Sequence, residues 1–177
     1  MNRRNSALSL AVLGLMTAMV FVSNYLSIPV ASSRIHLANA LCLLSGLLLG
    51  GWKGAVAAGL GSALFDITIP AYVSEAWITF INKGAMALVC GLVANKNRSS
   101  KSRLYIASIL GQATYLVLYL FKNYVFMRYV TPVPVDTIFP VLLEKFVASL
   151  FNASFAVLTA PMLYLAIAPA LEKSGLK

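Results

Sequence analysis

The chain has 177 residues, of which 60% are hydrophobic and only 11% charged, with a mean hydropathy of +0.84. An average soluble domain is about a quarter charged, so this composition excludes an ordinary water-soluble fold and suits several passes through a bilayer core of about 30 Å. A net charge of +9 would suggest nucleic acid in a soluble protein; on a membrane chain it reads as cytoplasmic flanking charge, and no nucleic-acid partner is expected.

In chain order, Arg3 and Arg4 precede an apolar run that predicts a first helix over 7–27, too long for the core of a signal peptide. Ala7, Ala11, Gly14 and Ala18 recur along one side of it. Such small-xxx-small spacing lets helix backbones approach closely in lipid, and the neighbour is either another helix of this chain or a partner. Pro29 ends the helix, and Val30 to His36 reads as a short polar link. A short or tilted second helix is expected over 37–51, broken at Gly50-Gly51, with Trp52 and Lys53 marking an interface. The third, over 54–70, carries Asp66 in its last turn before Pro70. A loop with Tyr72 and Glu75 leads to the fourth, over 76–94, which contains Asn82 and Lys83. The loop from Asn95 to Arg103 is strongly basic, with Lys96, Arg98, Lys101 and Arg103 and no acid. The fifth helix covers 104–127; Arg128 to Pro140, with three prolines, predicts an irregular loop. The sixth, over 140–168, carries Glu144, Lys145 and Asn152, with Pro161 as a candidate kink.

The expected fold is therefore an all-α integral membrane protein, a single domain over 1–177 built as a six-helix transmembrane bundle. Arg3, Arg4, Lys53, Lys96, Arg98, Lys101, Arg103, Lys173 and Lys177 fall on one side of this arrangement and only Arg34 and Arg128 on the other. Basic loops stay inside, which predicts a multi-pass cell-membrane protein with both termini cytoplasmic.

An ionisable residue inside a span is costly and by default marks a functional interior. Asp66, Lys83, Lys122, Glu144 and Lys145 fall at a similar depth, in the outer half, from four different helices. On the fifth helix Gln112, Tyr115, Tyr119, Lys122 and Phe126 follow one face. Amide, phenols and amine suit a pocket that stacks a flat ring and binds its edges. An internal network, with Lys83 paired to Asp66 or Glu144, fits the same residues. Cys42 and Cys90 read as small buried hydrophobes, and the lone His36 as a loop residue. No phosphate loop, metal-ligand spacing or nucleophile elbow is present in the sequence. The chain is therefore not expected to be an enzyme by itself, nor to hold a metal or cofactor.

Several pieces, in this order and spacing, carry a family resemblance: Ile35-His36-Leu37-Ala38-Asn39, Gly50-Gly51-Trp52-Lys53-Gly54, Gly59-Leu60-Gly61-Ser62-Ala63-Leu64-Phe65-Asp66, Ile81-Asn82-Lys83-Gly84 and Cys90-Gly91-Leu92. The chain resembles the substrate-binding S component of energy-coupling factor (ECF) transporters, in the branch with riboflavin- and hydroxymethylpyrimidine/B6-type members. The resemblance implies a subunit that binds a vitamin from outside and associates with a transmembrane coupling protein and two ATPases. It also implies that Ala7 and Ala11, with Gly14 and Ala18 continuing the face, dock on the coupling protein.

The reading that follows is a vitamin-binding subunit of an ATP-driven importer. Its ligand residues are expected to be Asn39, Asp66, Tyr72, Glu75, Asn82, Lys83, Gln112, Tyr115, Tyr119, Glu144 and Asn152. Lys83 and Asn82 would contact polar edges of the ligand, Tyr115 and Tyr119 would stack on its ring, and Asp66 and Glu144 would balance charge. A small aromatic heterocycle such as hydroxymethylpyrimidine or a B6 vitamer is the favoured cargo, and riboflavin is next. The alternative is a stand-alone, proton-coupled carrier with Asp66, Lys83 and Glu144 as relays.

Overall fold

The computed structural model describes residues 3–30, 33–98 and 100–173, and the side chains of these except for 3–6, 28–36, 172 and 173. Six helices follow one another: α1 (Arg3–Tyr25), α2 (Ala38–Leu49), α3 (Gly51–Thr68), α4 (Ala76–Ala94), α5 (Lys101–Val125) and α6 (Val135–Lys173). Backbone polar groups in lipid must be satisfied within the chain, which leaves the helix as the default for such apolar runs. The spans Ala7–Tyr25, Val73–Ala94, Lys101–Val130 and Val135–Leu171 are long and apolar enough to cross a membrane.

Two links differ from expectation. The expected polar link after α1 is an antiparallel hairpin, β1 (Ser27–Val30) paired with β2 (Ser33–His36), in which Pro29 stands opposite Arg34. Ile28, Val30 and Ile35 are β-branched and favour the extended chain, and pairing satisfies backbone groups that an open link would leave free. The bundle is thus not purely helical. Beyond α5 the chain continues as a π turn, Phe126–Val130, and α6 starts at Val135, directly after Pro134 and not at Pro140. Asp136 supplies negative charge to the first turn of α6, and Thr137 caps back onto the Pro134 carbonyl through its hydroxyl at 2.7 Å. Pro140, Pro161 and Pro169 all lie within α6.

Specific contacts define the two ends of the bundle. At the basic end, Lys53 Nζ donates to Ser9 Oγ at 2.7 Å and Arg103 Nε donates to the Val93 carbonyl at 2.9 Å. Arg98 there donates to Asn95 Oδ1. The α2–α3 turn comes to the same end: Gly50 has φ 84, a left-handed value, and a Cβ on it would lie 3.0 Å from Arg98 Nη2. The backbone conformation calls for glycine there, whereas the arginine tip could swing aside. Of the basic residues expected at this end, Lys177 lies outside the described residues, and the side chains of Arg3, Arg4 and Lys173 outside the described side chains. At the far end, the hydroxyls of Tyr25 and Thr68 join α1 to α3 at 2.8 Å, and the Tyr25 ring meets Phe65 edge-on at 4.8 Å.

Helix α2 is the axis of the bundle. Nearly all of it is buried, including Leu43, Leu44 and Leu47, as expected for a helix apolar all round. It packs against α1, α3, α4, α5 and α6. Small residues allow this crowding. A Cβ on Gly54 would come within 2.6 Å of the Gly46 Cα, and one on Gly91 within 2.5 Å of the Gly51 nitrogen. Apolar burial gains little in lipid, so close packing of this kind holds membrane helices together. The half of the bundle nearest the basic end is therefore solid.

Candidate functional site

Toward the far end the packing turns polar. Lys83, on α4, is only 4% exposed. Its ammonium donates to Asn39 Oδ1 on α2 and lies 4.2 Å from the centroid of the Tyr115 ring on α5. Both partners accept a cation without neutralising it. Asn39 is in the first turn of α2, where Leu37 at the N-cap offers no capping side chain. That helix end adds partial positive charge to the same spot. Cys42, one turn further along α2, is close enough to Lys83 to feel its charge and lies 3.7 Å from Ser62 Oγ of α3.

Tyr115 and Tyr119 stack on one another, with centroids 5.6 Å apart and planes 17° off parallel. One turn below Tyr115, on the same side of α5, Gln112 is 2% exposed, and neither its Nε2 nor its Oε1 has a hydrogen-bond partner. Above the tyrosines, Lys122 forms an ion pair with Glu75, at the start of α4, and its ammonium lies 4.9 Å from the centre of the Phe126 ring. Asp66, half-buried at the end of α3, takes a hydrogen bond from Thr79. From the far end inward the order is an ion pair, a carboxylate, a tyrosine stack, a buried ammonium and an unpaired amide.

The structure brings Asn39, Lys83, Tyr115 and Tyr119 together, with Gln112 one turn below and Asp66 and Glu75 nearer the far end of the bundle. Asn82 is buried beside Lys83 on α4. Tyr72 is half-buried in the turn before α4. Asn152 is buried and Glu144 half-buried on α6, which packs on α2 and α5. The pairings of an internal network, Lys83 with Asp66 or Glu144, are not made; Lys83 has no ion pair among the described residues. The ring of Tyr115 is also occupied, by Lys83 and Tyr119.

Four participants were missed as site residues. Lys122 holds Glu75, although its spacing from Tyr119 already placed it on the same face. Thr79 binds Asp66, and it shares a face of α4 with Lys83. Cys42 and Ser62 form a polar contact beside Lys83, for which only the i, i+3 spacing of Asn39 and Cys42 gave a hint.

Ala7, Ala11, Gly14 and Ala18 are all exposed, while Met16, Thr17 and Val20 face inward. A Cβ on Gly14 would meet nothing within 4 Å. The small-residue face of α1 is therefore not used for packing within the chain.

A family model described as "ECF-type riboflavin transporter, S component" matches residues 4–169. Neither the curated proteins nor the solved structures include a match.

Proposed function

This chain belongs to the family of ECF-type riboflavin transporter S components, and from that premise we propose that it binds a flat, water-soluble heteroaromatic vitamin or precursor with high affinity at the Lys83–Tyr115 cluster. S components are substrate-binding subunits, not enzymes, and the chain is a multi-pass membrane protein of vitamin uptake. ATP hydrolysis falls to partners: a transmembrane coupling protein, docked on the exposed face Ala7, Ala11, Gly14 and Ala18, and two ATPases. All six helices cross the cell membrane with both termini cytoplasmic. The gathering of Lys53, Lys96, Arg98, Lys101 and Arg103 around one end of the bundle supports that orientation.

The observation that carries the reading is the ammonium of Lys83, which is buried and makes no ion pair among the described residues. A lone buried charge is expensive unless something completes it, and a guest with electron-rich edges does so. Tyr119 and Phe126 supply flat apolar surface on the way in. Riboflavin, hydroxymethylpyrimidine and B6 vitamers all fit this description. The test is mass spectrometry of small molecules that co-purify with the protein, followed by titration of those three compounds. A preparation without bound vitamin, and without submicromolar affinity for any of them, would refute the proposal.

A further inference from the structure

The basic end of the bundle is short of negative charge. Lys53, Arg98 and Arg103 there hold neutral oxygens, those of Ser9, Asn95 and Val93, and Lys96 and Lys101 are exposed. No acid lies at that end among the described side chains: Asp66, Glu75 and Asp136 stand at the opposite ends of α3, α4 and α6, and Glu144 is in the first third of α6. Arg98 differs from the other four. Its Nη2 would be 3.0 Å from a Cβ on Gly50, and its Nε is buried without a hydrogen-bond partner. On the next glycine the neighbour is apolar, since a Cβ on Gly51 would lie 2.9 Å from Leu92 Cδ2. The bare Gly50-Gly51 turn thus seats a guanidinium and a leucine on adjacent residues.

An orphaned N–H calls for an acceptor, and a group of cations without an acid attracts an anion. The apolar surroundings select its kind. Leu92 is 48% exposed one turn before Lys96, Ile106 is 52% exposed three residues after Arg103, and Trp52, 73% exposed, adjoins Lys53. A small anion in water would leave these side chains bare, whereas an amphipathic one covers them. We propose that the phosphate of an anionic phospholipid seats on Arg98, over the Gly50-Gly51 turn. The guanidinium fork suits phosphate oxygens. Lys96 and Lys101, on either side of Arg98 in the chain, add attraction, and an acyl chain runs along Leu92 into the membrane. The site is separate from the Lys83 cluster and does not depend on vitamin binding.

The experiment uses the purified full chain in detergent and three probes: phosphatidylglycerol, phosphatidylcholine with the same chains, and glycerol phosphate. Native mass spectrometry counts the lipid adducts as each is titrated. Phosphatidylglycerol should bind at least fivefold more tightly than phosphatidylcholine, and glycerol phosphate weakly or not at all. A basic residue near an anionic headgroup contributes about fivefold in affinity. Arg98→Gln should therefore weaken phosphatidylglycerol by about that factor or more, while Arg128→Gln, the same change of charge at the far end, should leave it unaltered. Lys96→Gln combined with Lys101→Gln, both at exposed positions, should weaken it as well, and tests the site even where Arg98→Gln does not fold. Equal binding of the two lipids, or equal losses in Arg98→Gln and Arg128→Gln, would overturn the site. Glycerol phosphate bound as tightly as the lipid would make it a free-phosphate site and overturn the lipid assignment.

Discussion

Replacing Gly91 by alanine should loosen this bundle, while the same change at Gly14 should not. The added Cβ at Gly91 would lie 2.5 Å from the Gly51 nitrogen and 2.7 Å from both the Gly46 oxygen and the Gly50 carbonyl carbon. All three are backbone atoms in or beside a turn fixed by the left-handed Gly50, so none can swing aside as a side chain would. Overpacking of this kind costs about 1–3 kcal/mol, against which alanine regains about 1 kcal/mol of helix propensity. At about 2–4 °C per kcal/mol for a domain of this length, Gly91→Ala should melt several degrees below the parent. Gly14→Ala keeps the propensity gain, meets nothing within 4 Å, and should melt at or slightly above the parent. The protein carries its own probes: Cys42 and Cys90 are both fully buried, so a maleimide fluorophore reacts only as the bundle opens. Equal melting of the two variants, or a more stable Gly91→Ala, would refute the packing argument.

Three further outcomes follow from the same geometry. Gly14→Trp should leave vitamin binding intact but abolish co-purification with the coupling protein and ATPases; intact assembly would remove α1 as the docking face, and uptake by the chain alone in liposomes would favour a solitary carrier. The Lys122–Glu75 pair, with side chains 17% and 28% exposed, is intermediate between surface and buried pairs and should contribute about 1–2 kcal/mol. Lys122→Met should therefore speed vitamin release roughly five- to thirtyfold in stopped-flow quenching, and Glu75→Gln added to it should cost little more; strict additivity would show that the two side chains act separately. In a background without Cys42 and Cys90, a cysteine at Lys101 should react with impermeant reagent only in inside-out vesicles, and one at Val133 only in intact cells. The reverse pattern would invert the orientation.

Much of the site was legible because helical periodicity is rigid. Gln112, Tyr115, Tyr119 and Lys122 could be placed on one face from spacing alone, and the structure keeps them there. The partners across helices were not legible, since they depend on rotation and depth that spacing does not fix. In the internal-network alternative Lys83 pairs with an acid, whereas in the structure it meets Asn39 and a tyrosine ring. The acid at the mouth goes to Lys122. The hairpin escaped for a different reason. Its strands have four residues each, too few for alternation to stand out, and the pairing that stabilises them is not encoded in either strand alone. The start of α6 was misplaced because Pro140 looked like a boundary, whereas Pro134 followed by Asp136 and Thr137 already supplied one.

The glycine-knit half of the bundle carries a consequence for how cargo moves. Below Lys83 and Gln112 the interior is filled by Leu43, Leu44, Leu47 and the interlocked backbones of Gly46, Gly54 and Gly91. Parting these contacts to make a path through the floor would expose backbone or forfeit dispersion. A pore that opens alternately at top and bottom is thus an expensive design for this chain. A cup that travels is cheaper: the vessel keeps its solid base, and a change in its attitude within the membrane brings the mouth to the other side.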